Sequence, residues 1–153
     1  MVIEHWVLFV SCFLFLVTCC LHIYLIEHNQ EMELIFNRAC EVLKLRDFSF
    51  RTMQRGEPVK DLKRRFVLGH TSFKTKTVTV DIYTAKKRQS KKISAILAVI
   101  AHELAHHQKP PYRQRWRGRI INRIHFPQFY RQVNRNVAKF KKDKVLGEYY
   151  SSK

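Results

Sequence analysis

Polar and apolar positions follow three different periods along this chain, and each period predicts a different element. Residues 6–26, WVLFVSCFLFLVTCCLHIYLI, are predominantly apolar and carry no formal charge. At about 1.5 Å of rise per residue, a helix of that length matches a hydrocarbon core of roughly 30 Å, which predicts a transmembrane helix. Trp6 and Tyr24 fall near its ends, at the headgroup levels. A cleaved signal peptide would begin with a positive region and end in small residues. Here Glu4 precedes the run and Thr-Cys-Cys-Leu-His closes it, so the segment reads as a retained anchor. No Lys or Arg comes before it, whereas Arg38, Lys44 and Arg46 follow. That asymmetry predicts a single-pass membrane protein whose C-terminal domain lies on the cytoplasmic side.

After the apolar run the period changes. Met32, Ile35, Ala39, Val42 and Leu43 recur at helical spacing within 29–46. Residues 48–63 hold Gly56 and Pro58 among mixed charges and read as a loop, and 65–68 read as a short strand. The stretch 77–83, TVTVDIY, alternates strictly, with Val78, Val80 and Ile82 on one side and Thr77, Thr79, Asp81 and Tyr83 on the other. It predicts a half-buried strand. A helix is expected from near Ser90 to about Gln108, with a deep stripe of Ile93, Leu97, Ile100 and Leu104, ended by Pro110 and Pro111. A basic-aromatic connection fills 109–124. A second amphipathic helix then opens at Pro127, its apolar face made by Phe126, Phe129, Tyr130, Val133, Val137 and Phe140. The expected fold is α+β, a small antiparallel or mixed sheet with two or three packed helices. It comprises a transmembrane helix at 6–26, one domain over 29–145 and a charged, frayed tail at 146–153.

Charge sharpens this division. The chain carries 29 Lys+Arg against 12 Asp+Glu, a formal net charge of +17. All the bases lie beyond residue 30, so a neutral apolar head precedes a strongly basic body suited to a polyanion, either nucleic acid or anionic lipid. Lys109, Arg113, Arg115, Arg117, Arg119 and Arg123 alternate with Tyr112 and Trp116, and of these Arg113, Arg115, Trp116, Arg117 and Arg119 are the candidate nucleic-acid or lipid contacts. Cys12, Cys19 and Cys20 belong to the head and only Cys40 to the body. One thiol makes no internal disulfide, and no CxxC or Cys/His cluster supports a zinc finger.

The candidate chemistry lies at 99–108, VIAHELAHHQ. His102 and His106 stand four apart, so on a helix both imidazoles project from one face and can reach one tetrahedral ion at about 2.0–2.1 Å. Glu103, beside the first His, is placed to take a proton from a water that the ion activates. Ala95, Ala98 and Val99 on the preceding turns are small enough to let a strand approach. A zinc hydrolase needs a third protein ligand and one open position. His125 is the leading candidate, with His28 and His70 as others. His107 points about 100° away from His106 and is expected to support the site or face solvent.

HELAHH followed by HFPQFYRQVNRN resembles the small zincin-type peptidases of the SprT and WLM groups. Those groups carry HExxH and then a third His at the head of a helix, with a strand edge along the substrate cleft. The resemblance covers roughly residues 65–140. It implies a minimal zincin-like domain with Zn2+ on His102, His106 and His125, Glu103 as catalytic base, and a protein or peptide substrate. It also implies a DNA-facing role. Two alternatives use the same residues differently: a non-catalytic tethered basic protein that binds nucleic acid or lipid, and an inactive zincin with a purely structural metal. Tyr112 and Tyr130 are the nearest candidates to stabilise an oxyanion.

Overall fold

The computed structural model describes residues 28–53 and 67–151. The chain divides into two compact units, residues 1–34 and 35–153. The described part of the first is helical, with His28 Nδ1 3.6 Å from Glu31 Oε2. Helix α1 covers residues 28–43; within the second unit Ile35, Ala39 and Leu43 are buried at the predicted spacing, and Phe36 is buried as well.

Strands β1 (Ser49–Thr52), β2 (Gly69–Ser72) and β3 (Thr77–Val80) form one sheet in the order β1-β3-β2. β3 runs parallel to β1, with Phe50 opposite Val78, and antiparallel to β2, with Gly69 opposite Val80. The sheet is therefore mixed. Val78, Val80 and Ile82 are fully buried, as strict alternation requires. Asp81, expected on the polar side, is fully buried as well. A carboxylate taken out of water needs a partner, and Arg88 Nη1 lies 3.1 Å from both of its oxygens. Alternation does not reveal such a pair, because the cation comes from the turn beyond the strand. Two boundaries also differ from expectation. The presumed loop at 48–63 contains β1, with its remainder from residue 54 outside the described residues. The strand expected at 65–68 begins instead at Gly69, and 65–66 lie outside the described residues.

Helix α2 (Ile93–Gln108) buries Ile96, Leu97, Ile100, Ala101, Leu104 and Ala105. It starts later than Ser90 because Ser90 pairs with Tyr83 in an isolated bridge and Lys91 N–H donates to Ile82 O at 2.9 Å. The connection after it is not irregular. β4 (Tyr112–Trp116) and β5 (Arg119–Arg123) make an antiparallel hairpin. Its two turn residues, Arg117 at φ 48° and Gly118 at φ 76°, are both left-handed, the conformation that matches the twist of paired strands in a two-residue turn. Helix α3 (Pro127–Lys142) opens on a proline in its first turn, which loses no hydrogen bond there. It packs along α2, with Phe129 and Phe140 fully buried. Full burial of such a side chain contributes about 1.5–3 kcal/mol.

Among the described residues no helix is long and apolar enough to cross a membrane. The helices α2 and α3 have 16 residues each, about 24 Å, and α3 carries several charges along its length. The expected transmembrane helix, and with it the single-pass membrane location, is corrected accordingly: the structure is a small α+β fold without a spanning helix among the described residues. The segment 6–26, to which that expectation applied, lies outside them.

The end of the chain is tied down rather than frayed through residue 151. Leu146 is fully buried and α4 (Glu148–Ser151) follows it. Asp143 fixes this turn: its Oδ1 accepts from the Val145 and Leu146 N–H groups at 3.1 Å each, while Arg38 Nη2 reaches Oδ2 at 2.7 Å. The Arg38 guanidinium, helped by those two N–H groups, holds the Asp143 carboxyl below its usual range against the opposing effect of burial. A depressed carboxylate stabilises the fold fully above its ordinary value of 3.8 and ceases to do so as pH falls through its folded value. Asp143→Asn should therefore lower the urea midpoint at pH 7. The gap between wild type and variant should close in acid; a gap that persists unchanged to pH 2 would show the ion pair to be inert.

Candidate metal centre

The α2–α3 pairing and the hairpin between them assemble the site. His102 and His106 project one turn apart from α2, their ring centroids 5.0 Å apart. His125 stands between the end of β5 and the start of α3, so the hairpin reverses the chain and delivers it to the same place. Its ring lies 5.1 Å from that of His102 and 5.1 Å from that of His106. Donor atoms of the three residues all lie within 4.8 Å of one another, and His125 Nε2 is 3.2 Å from His102 Nε2. Three nitrogens on one tetrahedral ion at roughly 2.0–2.1 Å lie about 3.3 Å from each other, so the set fits an ion after a small contraction. Three imidazoles suit zinc, copper, iron or nickel rather than calcium or magnesium. Of the candidates for a third ligand, His125 is the one that clusters with His102 and His106 among the described residues. His70 lies on β2 and joins no cluster of this kind among the described residues.

Phe129 was expected only as part of an apolar face. Fully buried, it lies beneath the cluster, its centroid 4.9 Å from His102, 4.5 Å from His106 and 5.0 Å from His125. One phenyl ring therefore packs against all three imidazoles and limits their rotation. The spacing of His125 and Phe129, four residues apart at a helix start, could have signalled this. Asn136 acts one level further out. Fully buried on α3, it donates through Nδ2 to Ala101 O at 3.2 Å and to Gln108 Oε1 at 2.8 Å, pinning α3 to the motif helix.

His107 supports the site from the other side of α2. Its Nε2 is 2.7 Å from Thr71 Oγ1, and its ring packs on Phe48 and Phe73 at 4.7 and 4.9 Å. It ties the helix to β2. The same strand comes closest at Gly69, where an added Cβ would stand 2.8 Å from Val99 Cγ1 and 3.2 Å from Glu103 Oε1. Only glycine lets the strand pass there. Gly69, His70, Thr71 and Phe73 then line an open cavity of about 310 Å³ together with the three histidines and Glu103.

Burial sets the protonation states. His106, 8% exposed, has its pKa lowered to about 4 by burial and then by repulsion from His102, His125 and His107. Burial followed by the charge of His125 lowers His102 as well. Both are neutral near pH 7, which is the form that ligates. The buried His106 Nδ1 has no hydrogen-bond partner among the described residues, an unmet polar atom within the cluster. Burial raises the Glu103 carboxyl to about 7, within reach of either protonation state at neutral pH.

No protein-family model, curated protein or solved structure matches this chain. The three-histidine cluster is therefore the specific evidence for what the site holds.

The basic residues singled out in the sequence divide between two faces of the hairpin. Paired residues share a face, so Trp116 and Arg119 lie together while Arg113 and Arg115 lie opposite. Arg117, in the turn, and Arg123 both sit over the Trp116 ring at 5.8 Å. All five expected contact residues are exposed. From residue 104 to 142 the chain has 11 Lys and Arg and no acid. Of the two tyrosines, Tyr130 lies 6.0 Å from His125, whereas Tyr112 packs on Phe126 at 5.0 Å.

Two substitutions separate ligand from support. His125→Ala should remove most of the bound ion, measured as metal per chain after dialysis. Phe129→Leu should keep the ligands and lower ion affinity about tenfold, the lower end of what loss of a supporting group costs. Unchanged affinity in Phe129→Leu would show the ring to be packing only.

Proposed function

We propose that this chain is a zinc-dependent peptidase of the SprT/WLM zincin type. The observation that carries the reading is Glu103, 6% exposed with its pKa raised to about 7, one residue from the first of three clustered imidazoles. His102, His106 and His125 would hold Zn2+, whose Lewis acidity polarises a peptide carbonyl and acidifies water. Glu103 takes a proton from the attacking water as its oxygen bonds to the carbonyl carbon. The C–N bond then breaks, and Glu103 passes the proton to the departing amine nitrogen, leaving a carboxylic acid and an amine. Phe129 keeps the imidazoles in position throughout. β2 is an edge strand whose residues line the cavity, so an extended peptide could pair along it beside Glu103.

Glu103→Gln keeps the shape and removes the base. It should bind zinc as wild type does and lose peptide cleavage by a factor of about 10²–10⁴. Equal cleavage by both proteins, assayed on an unstructured protein such as casein, would overturn the reading.

The acid-free stretch from 104 to 142 favours a second reading, a non-catalytic protein that holds nucleic acid on its basic surface. In that case the affinity for a DNA duplex falls steeply with salt, and Arg113→Ala with Arg115→Ala flattens the salt dependence by about one contact each. Glu103→Gln would then leave every measured property alone.

A further inference from the structure

A second cavity of about 340 Å³ adjoins the candidate metal centre and shares Gly69, His102 and Glu103 with it. Its remaining walls are Val67, Leu68, Ala98 and Val99, all apolar. Among the described residues neither cavity is lined by Lys or Arg. A recess whose described walls are apolar suits an uncharged ligand group. Its position is set by helix geometry: Ala98 and His102, and likewise Val99 and Glu103, stand one turn apart on α2. The recess therefore continues the face that carries the candidate chemistry. Gly69 lines both cavities, and a side chain there would press on Val99 and Glu103.

We infer that this recess is a specificity subsite that takes an aliphatic side chain of the substrate, next to the bond being cleaved. The inference rests on the peptidase reading and adds a substrate class to it: peptides with a leucine-like residue on one side of the scissile bond. A carboxylate would meet only apolar groups, His102 and the Glu103 carboxyl among the described walls. Glycine would leave the recess unfilled. Discrimination between a filled and an unfilled apolar pocket of this kind is about 10- to 200-fold.

The test uses the zinc-loaded full chain and two small chelating probes, leucine hydroxamate and glycine hydroxamate, followed by calorimetry. The leucine probe should bind at least tenfold more tightly. Ala98→Trp, an exposed helix position whose new ring would fill the recess, should abolish that advantage while zinc per chain stays at the wild-type value. Matched peptides with Leu or Gly at the cleaved bond should show the same preference in kcat/KM. Equal binding of the two probes to wild type, or a leucine advantage that survives Ala98→Trp, overturns the subsite and leaves the metal centre standing. If neither probe binds, the zinc reading itself falls and the subsite falls with it.

Discussion

One ring stands under the whole site. Phe129 touches all three imidazoles, and it can do so only because α3 lies along α2 with Asn136 holding the two together. Imidazoles on separate elements gain nothing by meeting; each is a weak base that loses hydration when buried. The packing of α3 supplies the free energy that holds them side by side. An ion bound there would recover part of what their desolvation costs. The cluster is thus a consequence of core formation, and its geometry is as rigid as the helix pair beneath it.

The electrostatics of the cleft run opposite to those of the body. The protein carries a formal charge of +17, yet among the described residues the two adjoining cavities are lined by histidines, one glutamate, Thr71 and apolar groups. Burial makes His102 and His106 poor proton acceptors and Glu103 a reluctant anion. Each shift moves its group toward the state the proposed chemistry uses, neutral ligands and a carboxyl able to exchange a proton near pH 7. The hairpin that brings in His125 exposes its cations, Arg113 and Arg115 on one face and Arg119 on the other.

Sequence periodicity revealed the parts of the site that lie on one element. His102, Glu103 and His106 follow from the HExxH spacing, and Val78, Val80 and Ile82 from alternation. What depends on contacts across elements was hidden. Asp81 looked solvated because its cation, Arg88, comes from the following turn. Thr71 gives no sign that it meets His107, and Gly69 looks like any other glycine until β2 is laid on Val99. The hairpin had a local signal, a Gly preceded by a residue able to take positive φ between alternating segments, but its dense charge reads first as an open loop. The transmembrane expectation rested on the length, lack of charge and terminal aromatics of 6–26, and among the described residues no helix is long and apolar enough to span.

X-ray absorption at the zinc edge of the metal-loaded full chain tests the central claim most directly. The account predicts three imidazole nitrogens at about 2.0–2.1 Å and a single further light ligand. A shell with fewer than three imidazoles, or one containing sulfur from a cysteine, would contradict it.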